Sequence, residues 1–196
     1  MKKYLLIMTT VLMSFTTFNN EPVDRIGLKG PLTFNKTSFN LSWTDKPNDT
    51  YFIQEYLPKD EKAENFNQML TLHLFDKDIK VKNAVKQKIQ ELDTRKKTDP
   101  TCNYQVTESP DGKEFMVDFL FGESKGDKMT IIEFNIYHYK QVTLGDRKKG
   151  ILVYAYSKRA YGDDITTFLK NLRKDRADLL NVMIASEMPT VKLADN

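Results

Sequence analysis

Three long apolar runs, "EFMVDFLF" (114–121), "MTIIEFNIYHY" (129–139) and "ILVYAYSKRAY" (151–161), follow one another with only short turns between them. A weaker run, "NYQVTE" (103–108), precedes them and meets the first through the turn "SPDGK". Parallel neighbours need a crossover of a dozen or more residues, and no such segment separates these runs. Four successive strands therefore imply an antiparallel meander, and the rest of the chain must be arranged around it.

The segment from Leu32 to Tyr56 reads as a hairpin. "LTFNKTSFNLSW" places Phe39, Leu41 and Trp43 at period two, "DKPND" supplies turn chemistry, and "TYFIQEYL" resumes the alternation. After the polar stretch "PKDEKAEN", the strand "MLTLHLF" sets Leu70, Leu72 and Leu74 on one face. A helix is then expected with Val81, Val85, Ile89 and Leu92 in one stripe, capped by Asp76 or Asp78 and ended by "RKKTDP".

The chain closes on the amphipathic segment "DDITTFLKNLRKDRADLLNVMIASEM", capped by Asp163 or Asp164 and stopped by Pro189. Ile165, Phe168, Leu169, Leu172, Leu179, Leu180 and Met183 share one side, with the spacing broken only around Arg176. The expected order is β-β-β-α-β-β-β-β-α. It specifies a single-domain α+β sandwich, a mainly antiparallel sheet with two amphipathic helices.

The N-terminus, "MKK" followed by uncharged "YLLIMTTVLMSFTTF", has the order of a secretory signal. Its apolar run of about fifteen residues falls short of the roughly twenty that span a bilayer. A signal peptide is expected over 1–19 and one domain over 20–196, with 20–31 and 189–196 as loose ends. No transmembrane helix is expected once the signal is removed.

Loss of Lys2 and Lys3 with that signal leaves 28 basic residues against 27 acidic ones, so the apparent basicity belongs partly to the leader. Such near-neutrality lacks the basic stripe of a nucleic-acid binder. The lone Cys102 cannot form an internal disulfide, and no Cys/His zinc spacing exists. It is expected as a buried, inert thiol. The lysine-, asparagine- and threonine-rich composition suits a bacterial envelope protein, periplasmic or secreted.

"GESKG" (122–126) has the spacing of a G-x-S-x-G nucleophile elbow. That motif needs a helix behind its serine. Here "DKMTIIEFNIYHY" is strand-like, so Ser124 is expected at a hairpin tip between strands 115–121 and 129–140, with Gly122 and Gly126 as turn residues. His138 lies far along the next strand. His73 could join Asp76 and Asp78, although the aspartates serve better as caps.

Asp60, Glu61 and Glu64 read as a solvated loop. Asp118 sits on the face of Met116 and Leu120, where burial would raise its pKa unless a cation compensates. Lys170, Arg173, Lys174 and Arg176 on the last helix are interleaved with acids and read as a solvated face.

Tyr137 and Tyr139 on one strand, with Tyr154 and Tyr156 on the next, have the spacing to line a single sheet face if the register permits. Such a face could hold a ligand or partner.

The stretch "FNLSWTDKPNDTYFIQEYLPKDEKAENFNQMLTL", with Glu55 to Pro58, Asn65, Phe66, Met69 and Leu70 as its marks, resembles the opening of a group of uncharacterised exported bacterial proteins. The resemblance implies export and a single domain. It carries over no activity and no site residue.

These readings point to a non-enzymatic module that binds a partner protein or a small apolar ligand, with no metal or cofactor expected. The competing reading is a hydrolase drawing on Ser124, Asp118 or His138.

Overall fold

The computed structural model describes residues 21–145 and 148–193. The expected signal peptide lies outside them. The chain forms strands β1 (Leu32–Phe34), β2 (Thr37–Asn48), β3 (Tyr51–Leu57) and β4 (Gln68–Phe75), helix α1 (Val81–Arg95), and strands β5 (Asn103–Glu108), β6 (Glu114–Lys125), β7 (Lys128–Leu144) and β8 (Lys148–Tyr161). A short 3₁₀ turn, Gly162–Asp164, leads into helix α2 (Ile165–Ala185).

All eight strands belong to one antiparallel sheet of order β1-β2-β3-β4-β8-β7-β6-β5. The class is α+β with a mainly antiparallel sheet, but the expected sandwich is not formed. A single sheet curls into a half-barrel instead. Three strands separate β1 from β8 in that order, yet the Phe34 ring lies 4.5 Å from the Tyr156 ring and meets Tyr154 edge-on. The curl thus closes toward the face that carries Tyr154 and Tyr156.

The bend has a local origin in β2, where the register slips between Leu41 and Trp43 and again between Asp45 and Asn48. Such bulges bend a strand and increase its twist. The extra strand β1, absent from the expected order, arises because Asn35 and Lys36 both adopt positive φ (45° and 64°) and form a two-residue turn. Type I′ turns need that conformation at both positions, and asparagine tolerates it well.

Alternate residues of the sheet feed two cores, one on each face. On one face α2 buries Ile165, Phe168, Leu172, Leu179 and Met183 against Leu70, Leu72, Ile132, Phe134 and Ile136. On the other, α1 buries Val81, Val85 and Leu92 against Phe115, Val117, Tyr139, Ile151 and Val153. The flanks expected to be loose are docked: Ile26 and Val191 are buried in the α2 core, and the Lys192 amide donates to the Ile26 carbonyl at 2.8 Å.

Helix ends differ from expectation. Lys80, not Asp76 or Asp78, occupies the cap position of α1 and makes no side-chain cap bond; Asp76 pairs with Lys148 at 2.6 Å. Asp163 and Asp164 lie in the 3₁₀ turn, and neither makes a side-chain cap bond to α2. Within α2, Leu169 is exposed and Leu180 only half-buried.

The β6–β7 corner is a hairpin, but tighter than the sequence implied. Lys125 pairs with Lys128, leaving Gly126 (φ +61°) and Asp127 as the turn, so most of "GESKG" is strand. Gly122 has a different role: a Cβ there would stand 2.7 Å from Thr101 Oγ1. Its amide donates to Asp99 and its carbonyl accepts from Arg95, which docks the end of α1 against β6.

Candidate functional site

Directly paired residues in a sheet point to the same face. Glu55 pairs with Thr71, Thr71 with Ala155, and Ala155 with Tyr137. One row along, Ser157 pairs with Asn135; the next row sets Arg159 beside Glu133. All lie on the α1 face, as does His73 opposite Val153. Helix α1 packs over β6 and β7, and this polar territory extends beyond its apolar footprint.

These groups are engaged with one another to different extents. Arg159 donates through Nε to Glu133 at 2.5 Å and also through a terminal nitrogen, while its guanidinium lies 4.0 Å from the Phe66 ring. Ser157 donates to Asn135 Oδ1 at 2.6 Å. The Asn135 Nδ2 donor has no protein partner among the described residues, although Asn135 is 1% exposed.

The Tyr51 hydroxyl lies 2.8 Å from His73 Nδ1. Burial, reinforced by the Lys88 charge, pushes His73 down to about 3, so its ring is neutral near pH 7. Tyr51 then donates to Nδ1, which leaves the proton on Nε2. That Nε2 also lacks a protein partner among the described residues.

Glu55 is half-buried, and burial is the main cause that pushes it up to about 7; Arg159 pulls it back and Glu133 adds to the rise. Lys88 is buried, with its ammonium 4.8 Å from the Phe119 ring, 4.9 Å from the Tyr137 ring and 3.0 Å from Glu91. A cavity of about 130 Å³ opens there, between Lys88, Glu91, Arg95, Phe119, Phe121 and Tyr137. Half-buried Tyr51 and Tyr137 flank the His73 ring, with centroids 6.1 and 5.7 Å away, and half-buried Phe121 lines the cavity.

The four tyrosines expected to line one face do not share one. Tyr139 pairs with Val153 and His138 with Tyr154, so Tyr137 and Tyr139 face α1 while Tyr154 and Tyr156 face α2. A one-residue difference in register sends a side chain to the opposite face. Tyr154 and Tyr156 are buried in the α2 core, where burial pushes the Tyr154 phenol up to about 12 and the Tyr156 hydroxyl donates to Gln68 at 2.9 Å.

The hydrolase candidates are dispersed. Ser124 is exposed opposite Met129, whereas His138 lies opposite Met116, eight positions back along β6 and so about 26 Å away at the strand rise. Asp118 is buried but bound by Arg176 through Nε at 2.9 Å and a terminal nitrogen at 2.6 Å. Burial raises its pKa, and Arg176 offsets part of that rise. Cys102 is buried with its thiol toward the Leu92 carbonyl, and burial pushes the thiol up.

Glu61 accepts the Asn67 and Gln68 amides and so holds the loop that places Phe66 over Arg159. Lys170, Arg173 and Lys174 are exposed. Among the described residues, no three His, Cys, Asp or Glu side chains could share a metal ion, and no helix is long and apolar enough to cross a membrane.

Glu55, Lys88, Glu133, Asn135 and Arg159 are not among the site residues expected from the sequence. A signal was present in "IIEFNIYHY": its alternation puts Glu133 and Asn135 on the second face of a strand that this fold buries on both sides. Ionisable groups whose pKa is displaced by burial and by specific charge partners cluster at functional sites.

The model of an uncharacterised protein family matches residues 26–188. The chain belongs to this family. The matched span runs from Ile26 in the docked N-terminal flank to Met188 just beyond α2, and so includes every strand and both helices. Comparison with the curated proteins and with the solved structures gives no match.

Proposed function

We propose that this protein is an exported bacterial envelope protein, periplasmic or secreted, that works as a non-enzymatic binding module. Its binding surface is the polar and aromatic territory beside α1, and its ligand is a small compound with an apolar, ring-sized body. One observation carries the reading: half-buried aromatic rings flank buried polar groups, two of which have no protein partner among the described residues. Aromatic side chains offer apolar area at low entropic cost, and a few convergent polar groups fix orientation.

Binding rather than turnover is favoured because this territory presents no activated nucleophile. Its serine hydroxyl, on Ser157, donates to an amide oxygen, and the His73 lone pair is already taken by Tyr51.

Trp43 is the only tryptophan of the chain, and it pairs with Glu55 at the margin of this surface. Its emission therefore reports occupancy. Titration with 1-anilinonaphthalene-8-sulfonate should give saturable energy transfer from Trp43, weakened roughly tenfold by Tyr137→Ala, which removes about 1.4 kcal/mol of ring contact. Tyr154→Phe, on the opposite face, should leave it unchanged. Equal affinity in wild type and Tyr137→Ala would remove the surface from consideration.

A further inference from the structure

Helix α1 buries the stripe Val81, Val85, Lys88 and Leu92. Lys88 stands there in place of the expected Ile89, which is only half-buried. An ammonium at such a position costs free energy that an apolar side chain of similar size would not. Packing alone therefore gives no reason for a lysine.

Of the three donors of that ammonium, one goes to Glu91 Oε1 at 3.0 Å, and among the described residues no other acceptor meets it. The Phe119 and Tyr137 rings lie 4.8 and 4.9 Å from it. Ring faces attract a cation but do not replace a carboxylate. The Glu91 side chain is 43% exposed, so water weakens its hold.

Lys88 lines the cavity of about 130 Å³ between α1 and the sheet, with Glu91 and Arg95 from the helix and Phe119, Phe121 and Tyr137 from the strands. An apolar cavity of about 150 Å³ accepts a benzene ring, so this one is of single-ring size. Phe119 meets Tyr137 edge-on at 5.0 Å and stacks with Phe121 at 6.1 Å, which gives the cavity an aromatic wall. The Arg95 guanidinium lies 4.0 Å from the Phe121 ring. The residues lining the cavity thus hold two cations against one carboxylate.

We infer that this cavity takes a monocyclic aromatic carboxylate, its ring against Phe121 and Tyr137 and its carboxylate on the Lys88 ammonium, with Arg95 adding positive charge. The assignment rests on the reading of the surface beside α1 as one that binds a ring, and it names the class of that ring.

Fluorine NMR titration with 4-fluorobenzoate and with neutral 4-fluorobenzamide tests it. Wild type should bind the benzoate roughly tenfold more tightly, and Lys88→Met should bring the two probes to equal affinity. Glu91→Gln, at a half-exposed position, removes the competing carboxylate and should tighten the benzoate roughly threefold while leaving the benzamide unchanged. Equal affinity of the two probes in wild type would overturn the assignment and leave the ring-binding surface standing, and so would a benzoate preference undiminished in Lys88→Met. Binding of neither probe would overturn it as well, with the surface judged separately by the Tyr137→Ala titration.

Discussion

Glu55 and His73 are displaced in opposite directions by the same physical cause. Burial disfavours the charged form of each, which raises the carboxyl to about 7 from an ordinary 4.5 and lowers the imidazole to about 3 from an ordinary 6.5. Glu55 therefore contributes stability that is fully present below about pH 4.5 and is lost as pH rises through 7. His73 contributes stability that is present above about pH 6.5 and is lost as pH falls toward 3. Between those limits the two slopes oppose each other, each up to about 1.4 kcal/mol per pH unit.

Relative to wild type, Glu55→Gln should make unfolding free energy rise with pH by about 1 kcal/mol per unit between pH 5 and 6, and His73→Gln should make it fall by a similar amount. Urea denaturation at three pH values measures both. Slopes identical to wild type would show that neither group titrates out of step with the unfolded chain. Neither displacement was legible beforehand, because the polar face of an alternating strand looks the same whether water or another layer covers it.

At the scale of elements, the break in the α2 apolar spacing at Arg176 and the acid inside the apolar run at Asp118 were both visible in the sequence. Their connection was not, since it depends on which helix covers which face. The structure joins the two anomalies: Arg176 follows Leu172 by one turn and reaches down to Asp118 on the α2 face of β6. An outer nitrogen of the same guanidinium also donates to Gln105 on β5 at 2.7 Å, so one side chain ties the helix to two strands.

Arg176→Ala should cost about 2–3 kcal/mol, below the range for a fully buried pair because the arginine side chain is 33% exposed. Replacing both residues, as Arg176→Leu with Asp118→Leu, should recover most of that loss, since no buried charge is left unpaired. Chemical denaturation of the single and double variants separates the cases. A double variant as unstable as Arg176→Ala would show that the pair itself, and not the stranded carboxylate, sets the cost.

At the scale of the whole molecule, the antiparallel meander and the two helices could be read from periodicity, and the half-barrel could not. Closure depends on bulges in β2 and a two-residue turn at Asn35–Lys36, both hidden inside what reads as one extended segment. Their consequence is long-range: Phe34, at the outermost strand, is 1% exposed because it packs on Tyr154 and Tyr156 across the curl. The docked Ile26 and Val191 join that same core.

If the sheet were open and β1 an appended arm, truncating Phe34 would remove few contacts and cost well under about 1 kcal/mol, as at an ordinary surface position. In the half-barrel it leaves a cavity between the edge strand and the sheet centre, and Phe34→Ala should cost about 3–5 kcal/mol. A urea midpoint lowered by that free energy divided by the m-value, with the m-value itself kept, is the signature of an edge strand closed onto the α2 core. A near-neutral Phe34→Ala would mean that β1 and β2 hang free of β8, and that the curl does not hold the two ends of the chain together.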